Sequence, residues 1–181
     1  RWGLGFGRRK GCGVGRGGLE GETLMNPALK RLRKELSSIR KERDEEIELQ
    51  PNEDNIRQWQ AYIRGPPGTA YQGKVYCMSI HVGAEYPLEP PKVTFLTKVF
   101  HPNVNFSTGE ICLDILKRNW SPAWSLQAAC RAIIALLADP DVDSPWNCDA
   151  GNMIRAGDLV AFESIVRLYA EEHGLDDFPS R

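Results

Sequence analysis

The stretch VYCMSIHV, residues 75–82, decides the fold class because its large apolar side chains recur at every second position. That period is typical of a β-strand with one buried face. Runs of the same period lie on either side, at RQWQAYIRG (57–65) and VTFL (93–96), and the turn sequence GPPGTAYQGK separates the first two runs. The prolines of YPLEPPKVTFL exclude strand pairing before Val93. Since no helical pattern separates the runs, the sequence predicts an antiparallel meander.

Helical periodicity precedes and follows the meander. The apolar stripe of a first helix consists of Leu29, Leu32, Leu36 and Ile39, with Asn26 as the cap and Pro27 at the first helical position. A second helix is predicted in WSLQAACRAIIALLAD (124–139), capped by Ser125, and a last helix between Asp158 and Gly174. A helix, a meander, a long loop and further helices form an α+β pattern in one domain.

Composition and charge exclude several classes of protein. The chain has 181 residues, enough to bury a core without metal or disulfide staples. The formal net charge of −1 argues against general nucleic-acid binding, which requires a clearly basic domain. No apolar run approaches the roughly 20 residues that span a bilayer, so direct membrane insertion is not expected.

The five cysteines are scattered, without a CxxC pair or a Cys/His cluster, so no structural metal site is expected. The thiols should be free in a reducing compartment. Cys77, Cys130 and Cys148 are interpreted as packing residues, with a disulfide at Cys148 left open.

The first 24 residues differ from the rest of the chain because they hold nine of its 17 glycines and show no apolar period. Such a segment cannot offset the entropy lost on ordering, so residues 1–24 are predicted to be a disordered extension. Met25 is interpreted as the natural start, and residues 1–24 as upstream or added sequence. The folded domain is predicted to span residues 25–175, followed by a short tail at 176–181.

The stretch HPNVNFSTGEICLDIL, residues 101–116, lies in a long loop that raises the question of what Cys112 does. Cys112 could be a buried hydrophobe, half of a disulfide, a metal ligand or a nucleophile. A thiol hydrolase would pair it with an imidazole, and the candidates are His81, His101 and His173. The nearby Asn103 can donate to a developing oxyanion. A thiol with an amide donor and no base suits a site that carries an activated acyl group.

The same stretch, followed by WSPAWSL (120–126), closely resembles the active-site signature of the ubiquitin-conjugating enzymes. The upstream sequences GPPGTAYQGKVY and YPLEPPKVTFLTKVFHPN are similar to that family too, and the resemblance covers roughly residues 26–172. It implies an α+β fold with an N-terminal helix, a four-stranded antiparallel meander, an active-site loop, a crossover helix and C-terminal helices. The NFSTG loop and DSPWNCDAGNMIRAGD (143–158) resemble the peroxisomal, peroxin-type branch of the family.

The resemblance implies a role for each residue of the loop, and it implies no cofactor and no metal. Cys112 would accept ubiquitin as a thioester from the activating enzyme and pass it to an acceptor. Asn103 would stabilise the oxyanion or hold the loop. Asn103→Ala is expected to slow transfer more than loading, and an equal loss in both steps would instead make Asn103 a structural residue. Asp114 would orient or deprotonate an incoming amine. Ser144 stands where the family often has an aspartate. His101 and Pro102 would be structural.

The resemblance also implies partners: ubiquitin, the activating enzyme, RING-type ligases, a peroxisomal membrane anchor protein and an import receptor as substrate. The residues expected to meet the activating enzyme are Lys30, Arg31 and Lys34. Those expected to meet the ligase are Lys30, Leu88, Pro122 and Ala123. Those expected to meet the donor ubiquitin are Ala128, Arg131 and Ala135. The expected location is the cytoplasm, at the cytosolic face of the peroxisomal membrane.

Other readings stay open from the sequence. The chain could be a cytosolic ubiquitin-conjugating enzyme with other substrates, or it could conjugate a different ubiquitin-like modifier. A non-catalytic ubiquitin-binding or scaffolding module is a further reading, and the presence of Cys112 counts against it.

Overall fold

The computed structural model describes residues 26–112, 116–117 and 120–179. The expectations for residues 1–25 and for Asp114 therefore lie outside the described residues. In chain order the elements are α1 Pro27–Lys41, β1 Ile47–Pro51, β2 Gln58–Arg64, β3 Val75–His81, β4 Lys92–Phe95, α2 Leu126–Ala138, α3 Cys148–Arg155 and α4 Leu159–His173. The predicted α+β architecture is confirmed.

The sheet is an antiparallel meander with the strand order β1-β2-β3-β4. Its registers pair Ile47 with Ile63, Trp59 with Ile80, and Met78 with Phe95. The sequence pattern located the last three strands but not β1. Ile47, Glu48 and Leu49 are all buried, so β1 has no alternation for a period-two search to find.

The helices begin and end where side chains can satisfy their free backbone groups. The Asn26 side chain accepts from the N–H groups of Ala28 and Leu29, and the Ser125 side chain accepts from the N–H of Ala128. Asp158 caps α4 in the same way, at the N–H of Ala161. The helix starts predicted from these capping residues are confirmed.

The core lies between the inner face of the sheet and the apolar stripes of the helices. The fully buried large side chains of the two layers include Leu32, Trp59, Tyr76, Met78, Ile80, Leu126 and Ile133. Helix α2 contacts β1 and β2 and so lies over the β1–β2 side of the sheet. The loops at the ends of this layer, rather than the layer itself, carry the residues of the site.

The chain after α4 returns to the sheet. Leu175 pairs with Val75 through two backbone hydrogen bonds of 2.7 and 2.9 Å. Arg64 makes an ion pair with Asp177 at 2.7 Å, and its guanidinium lies 4.5 Å from the centre of the Phe178 ring. The described part of the predicted tail is thus fixed against β2.

The cysteines divide into three environments. Cys130 is completely buried in α2, which confirms its interpretation as a packing residue. Cys77 is only half-buried, because it lies on the same side of β3 as the half-buried Ser79 and the exposed His81. The interpretation of Cys148 as a packing residue is wrong: its side chain is exposed, since α3 buries Ala150 and Gly151 instead. Among the described residues, no helix is both long and apolar enough to cross a membrane.

Candidate active site

Cys112 lies at the end of a short backbone pairing that extends the sheet. Thr94 of β4 pairs with Glu110, and Val104 pairs with Ile111, in isolated antiparallel bridges. The Cys112 N–H then donates to the Asn103 carbonyl at 3.1 Å. The residue is 7% exposed, so its thiol is shielded from bulk water. The backbone of the sheet therefore fixes where the sulfur stands.

Gly109 makes this pairing sterically feasible. Its φ of +74° lies in the left-handed region, and a Cβ there would stand 2.1 Å from the Phe95 carbonyl oxygen. The Phe95 N–H donates to the Gly109 carbonyl at 2.8 Å, which brings the loop against β4. The Asn105 side chain closes the turn by accepting from the N–H groups of Ser107 and Thr108. No larger residue fits at 109 without moving the loop.

His101 is completely buried and bonded at both ring nitrogens. Nδ1 accepts from the Asn103 N–H at 3.1 Å, so Nε2 carries the proton and donates to the Leu136 carbonyl at 3.0 Å. Burial lowers the pKa of His101 to about 4, so the ring is neutral at physiological pH. The ring links the loop to α2 and is not available as a base.

This geometry argues against a thiol hydrolase, which needs an imidazole within hydrogen-bond reach of the sulfur. His173 stacks on Tyr169 near the end of α4, and His81 lies exposed at the end of β3. Within the described residues, no hydrogen bond joins Cys112 to any of these rings. Nor do the described residues contain a group of three side chains that could hold a metal ion.

Asn103 is buried, and both ends of its amide bind one residue of the chain that follows α2. Oδ1 accepts from the Asp141 N–H at 2.9 Å, and Nδ2 donates to the Asp141 carbonyl at 2.6 Å. This two-point contact holds the segment that leads to Ser144, whose side chain is exposed. In this conformation the amide acts on the backbone, which supports the loop-holding role left open by the sequence.

Pro102 completes the anchoring of the loop. Its carbonyl accepts from the N–H groups of Trp146 at 2.8 Å and Asn147 at 3.0 Å. Three consecutive residues thus bind three different places: His101 binds α2, Pro102 binds the start of α3, and Asn103 binds the segment between them. The loop that positions Cys112 is therefore held from three sides by hydrogen bonds to backbone groups of other segments.

A second cluster, centred on Glu35 of α1, organises the surface predicted to meet partners. The carboxylate is 6% exposed and accepts from Arg31 Nε at 2.6 Å. It also accepts from the Tyr86 hydroxyl at 2.6 Å and the Leu126 N–H at 2.8 Å. This Glu35 cluster was missed by the sequence analysis. Its one signal was the helical spacing from Leu32, which places an acid on the buried stripe.

Arg31 differs from the exposed lysines with which it was grouped. Its guanidinium donates to the carbonyls of Pro122 at 3.3 Å, Ala123 at 3.3 Å and Trp124 at 2.7 Å. Lys30 and Lys34 are exposed. Contact with the activating enzyme stays a prediction for all three residues. The Arg31 guanidinium, however, is already hydrogen-bonded within the protein.

The residues predicted to meet a ligase are exposed and joined through their neighbours. Leu88 is 71% exposed, and Pro122 and Ala123 are exposed as well. The Trp120 indole N–H donates to the Pro87 carbonyl at 2.8 Å, which links the two loops.

The residues predicted to meet a donor ubiquitin lie on α2. Arg131 of this group forms ion pairs with Asp44 and, at 3.5 Å, with Glu46. Ala128 is half-buried and Ala135 is exposed. Their role stays a prediction.

The meander, the anchor formed by His101, Pro102 and Asn103 (the HPN anchor), and a shielded cysteine with no base bonded to it among the described residues together fit an acyl carrier. A protein-family model described as "Ubiquitin-conjugating enzyme" matches residues 31–170. The chain belongs to this family, and it is an enzyme of ubiquitin conjugation.

The similar proteins specify a branch of the family. The chain is 52% identical to "Protein PEROXIN-4" of Arabidopsis thaliana over 147 residues, covering 80% of this chain and 94% of the relative. It is 49% identical to "Ubiquitin-conjugating enzyme E2 pex4" of Dictyostelium discoideum over 145 residues, covering 80% of this chain and 97% of the relative.

Among solved structures, the chain matches the ubiquitin-conjugating enzyme Pex4p of H. polymorpha, crystallised in complex with the soluble domain of Pex22p. The TM-score is 0.75 at 36% identity, and the match covers 82% of this chain and 99% of that one. The predicted resemblance to the peroxin type is confirmed by these relatives.

Proposed function

We propose that Cys112 accepts the C-terminus of ubiquitin as a thioester from the activating enzyme and transfers it to an acceptor on a protein. The observation that carries this proposal is a shielded thiol, fixed by the HPN anchor, with no imidazole bonded to it among the described residues. A base positioned to activate water would hydrolyse the thioester. Its absence from the described site therefore suits a carrier.

Loading exchanges one thioester for another. The Cys112 thiolate attacks the carbonyl carbon of the thioester on the activating enzyme, and a bond forms between that carbon and Sγ of Cys112. The bond to the sulfur of the activating enzyme breaks, and that sulfur leaves as a thiolate, which takes up the proton lost by Cys112. Transfer repeats the exchange, with an amine or thiol of the acceptor as nucleophile and Cys112 as the leaving thiolate.

The acceptor that we propose is a peroxisomal import receptor, modified on a cysteine or a lysine to support its recycling. The names of the relatives, Peroxin-4 and pex4, support a peroxisomal role. Ser144 brings no charge to the position where the family often has an aspartate. A thiol acceptor has a reference pKa about 2 units below that of an amine, so it needs less help to lose its proton.

An anchor protein would hold the enzyme at the cytosolic face of the peroxisomal membrane. The support is the solved complex of Pex4p with the soluble domain of Pex22p. We expect this chain to bind the soluble domain of its own Pex22-type partner, which can be measured by calorimetry with the two purified proteins. A well-folded enzyme that shows no heat of binding would contradict the peroxisomal assignment while leaving the chemistry intact.

The chemistry is tested by loading the enzyme with activating enzyme, ubiquitin and Mg-ATP, followed by a non-reducing gel. We expect an adduct that reductant removes. Cys112→Ser should give an adduct that resists reductant, because an oxygen ester replaces the thioester. Cys148→Ser is the matched control, since that thiol is exposed and could form an adduct by chance, and the variant should behave like the wild type. A folded protein that forms no adduct would overturn the proposal.

A further inference from the structure

A cleft of about 350 Å³ opens beside the active-site loop. Its apolar floor is formed by the buried side chains of Val93, Ile111 and Leu116. Ile111 immediately precedes Cys112, and Leu116 follows it by four positions. The volume lies near the lower end of the range for small-ligand pockets, so it suits one or two side chains better than a folded partner.

Trp146 lines this cleft and remains 45% exposed. Its backbone is fixed, since its N–H donates to the Pro102 carbonyl at 2.8 Å. The residue before it, Pro145, packs closely against α3, since a Cβ at Gly151 would stand 2.7 Å from the Pro145 Cγ. A large aromatic ring is thus presented from a rigid backbone, an arrangement that loses little entropy when the ring is covered.

The rim of the cleft is charged, with both signs present. Lys92 and Glu110 form an ion pair of 2.5 Å, and both line the cleft with the exposed Lys117. Lys92 keeps the pKa of the Glu110 carboxyl below its usual range. An apolar floor inside a polar rim is the usual anatomy of a site that binds one apolar anchor of a polypeptide.

We propose that this cleft binds the acceptor polypeptide and that Trp146 is a specificity-determining residue that selects an apolar side chain next to the acceptor nucleophile. The proposal rests on the proposed function of Cys112. An acceptor polypeptide that brings its nucleophile to the sulfur must lie across the surface around the loop. The cleft is part of that surface, because Ile111 of the loop lines it.

The competing occupant is the donor ubiquitin. Its predicted contacts, at Ala128, Arg131 and Ala135, are all on α2. Among the described residues that line the cleft, none belongs to α2. The cleft is built from the ends of β3 and β4, the loop and the segment that precedes α3, so the acceptor is the occupant that fits.

The test compares discharge of the loaded enzyme to three acceptors: free cysteine, a short peptide with cysteine flanked by leucine, and the same peptide with serine in place of leucine. The wild type should discharge to the leucine peptide with a lower KM than to the serine peptide. Trp146→Ala should reduce the preference for the leucine peptide over free cysteine by about tenfold. This is the scale expected when the contact between the leucine side chain and the exposed half of the indole is lost. Trp146→Phe should retain most of the preference.

Leu168→Ala is the matched control, because Leu168 is an exposed apolar residue on α4, outside the cleft. It should leave the preference as in the wild type. An equal preference in the wild type and in Trp146→Ala would overturn the proposal. So would slower discharge of Trp146→Ala to all three acceptors alike, which would assign the cleft to the donor. Failure of the proposed function would look different, since no variant would load ubiquitin at all.

Discussion

Acidification is expected to destabilise the folded protein through one buried residue, His101. Burial holds its pKa at about 4, whereas an unfolded chain gives it the ordinary value of about 6.5. Between these values the unfolded state binds a proton that the folded state does not. Stability therefore falls as the pH drops through this window, and it is unaffected by His101 above it.

The magnitude follows from the two values. The full difference, converted at about 1.4 kcal/mol per unit of pKa, amounts to about 3 kcal/mol well below pH 4. Between about pH 7.5 and about pH 5.5 the loss is about 1 kcal/mol. With a urea dependence of about 2 kcal/mol per molar, the unfolding midpoint should shift by about half a molar.

The assay is urea unfolding at both pH values for the wild type and for His101→Gln. The variant cannot titrate at this position, so the difference between the two proteins isolates His101 from the carboxylates. Equal pH dependence in both would refute the reasoning. If the variant does not fold, a proton NMR titration of the wild-type ring decides the matter, and a pKa near the ordinary value would contradict a buried, neutral His101.

Three further substitutions test the contacts that hold the loops. Asn103→Ala should cost about 2–3 kcal/mol by removing both hydrogen bonds to the Asp141 backbone, and should slow loading and transfer alike; slower transfer at unchanged stability would restore the oxyanion role. Gly109→Ala should destabilise by at least about 2 kcal/mol in urea unfolding, because of its φ and the close Phe95 carbonyl; unchanged stability would show that the loop can move away. Tyr86→Phe should cost about 1.5–3 kcal/mol through its lost bond to a carboxylate, with loading unchanged; a loss below about 0.5 kcal/mol would mean that the Glu35 cluster is not stabilising.

The fold could be predicted where the side-chain period is set by burial on one face. The meander from Gln58 onward and the helices α1, α2 and α4 have this property, and their caps confirmed the starts. Strand β1 could not be found in this way because three consecutive residues are buried. The interpretation of Cys148 was wrong because the general preference of cysteine for burial does not show which face of a short helix a given residue occupies.

The candidate site could be located by its sequence signature, but its contacts could not be predicted. The position of Cys112 after the HPN tripeptide is a local pattern. The Glu35 cluster is not, because its partners Tyr86 and Leu126 are 51 and 91 positions away along the chain. The two-point contact between Asn103 and Asp141 spans 38 positions. Only the folded structure shows that the Asn103 amide binds the backbone, which supports the loop-holding role rather than the oxyanion role.

The cleft beside the loop was likewise invisible in the sequence. Trp146 lies in a segment without a regular period, and its neighbours in the cleft come from β4 and from both sides of Cys112. Such a surface arises from loops that the core holds in place, so it requires coordinates rather than periodicity.

The central claim is that ubiquitin is carried on the sulfur of Cys112. Intact-mass spectrometry of the protein after loading tests it most directly, with Cys112→Ala and Cys148→Ala measured beside the wild type. We predict a single addition of the mass of ubiquitin less one water, removed by free thiol, present in Cys148→Ala and absent from Cys112→Ala. An adduct that persists in a folded Cys112→Ala, or that free thiol does not remove from the wild type, would contradict the account.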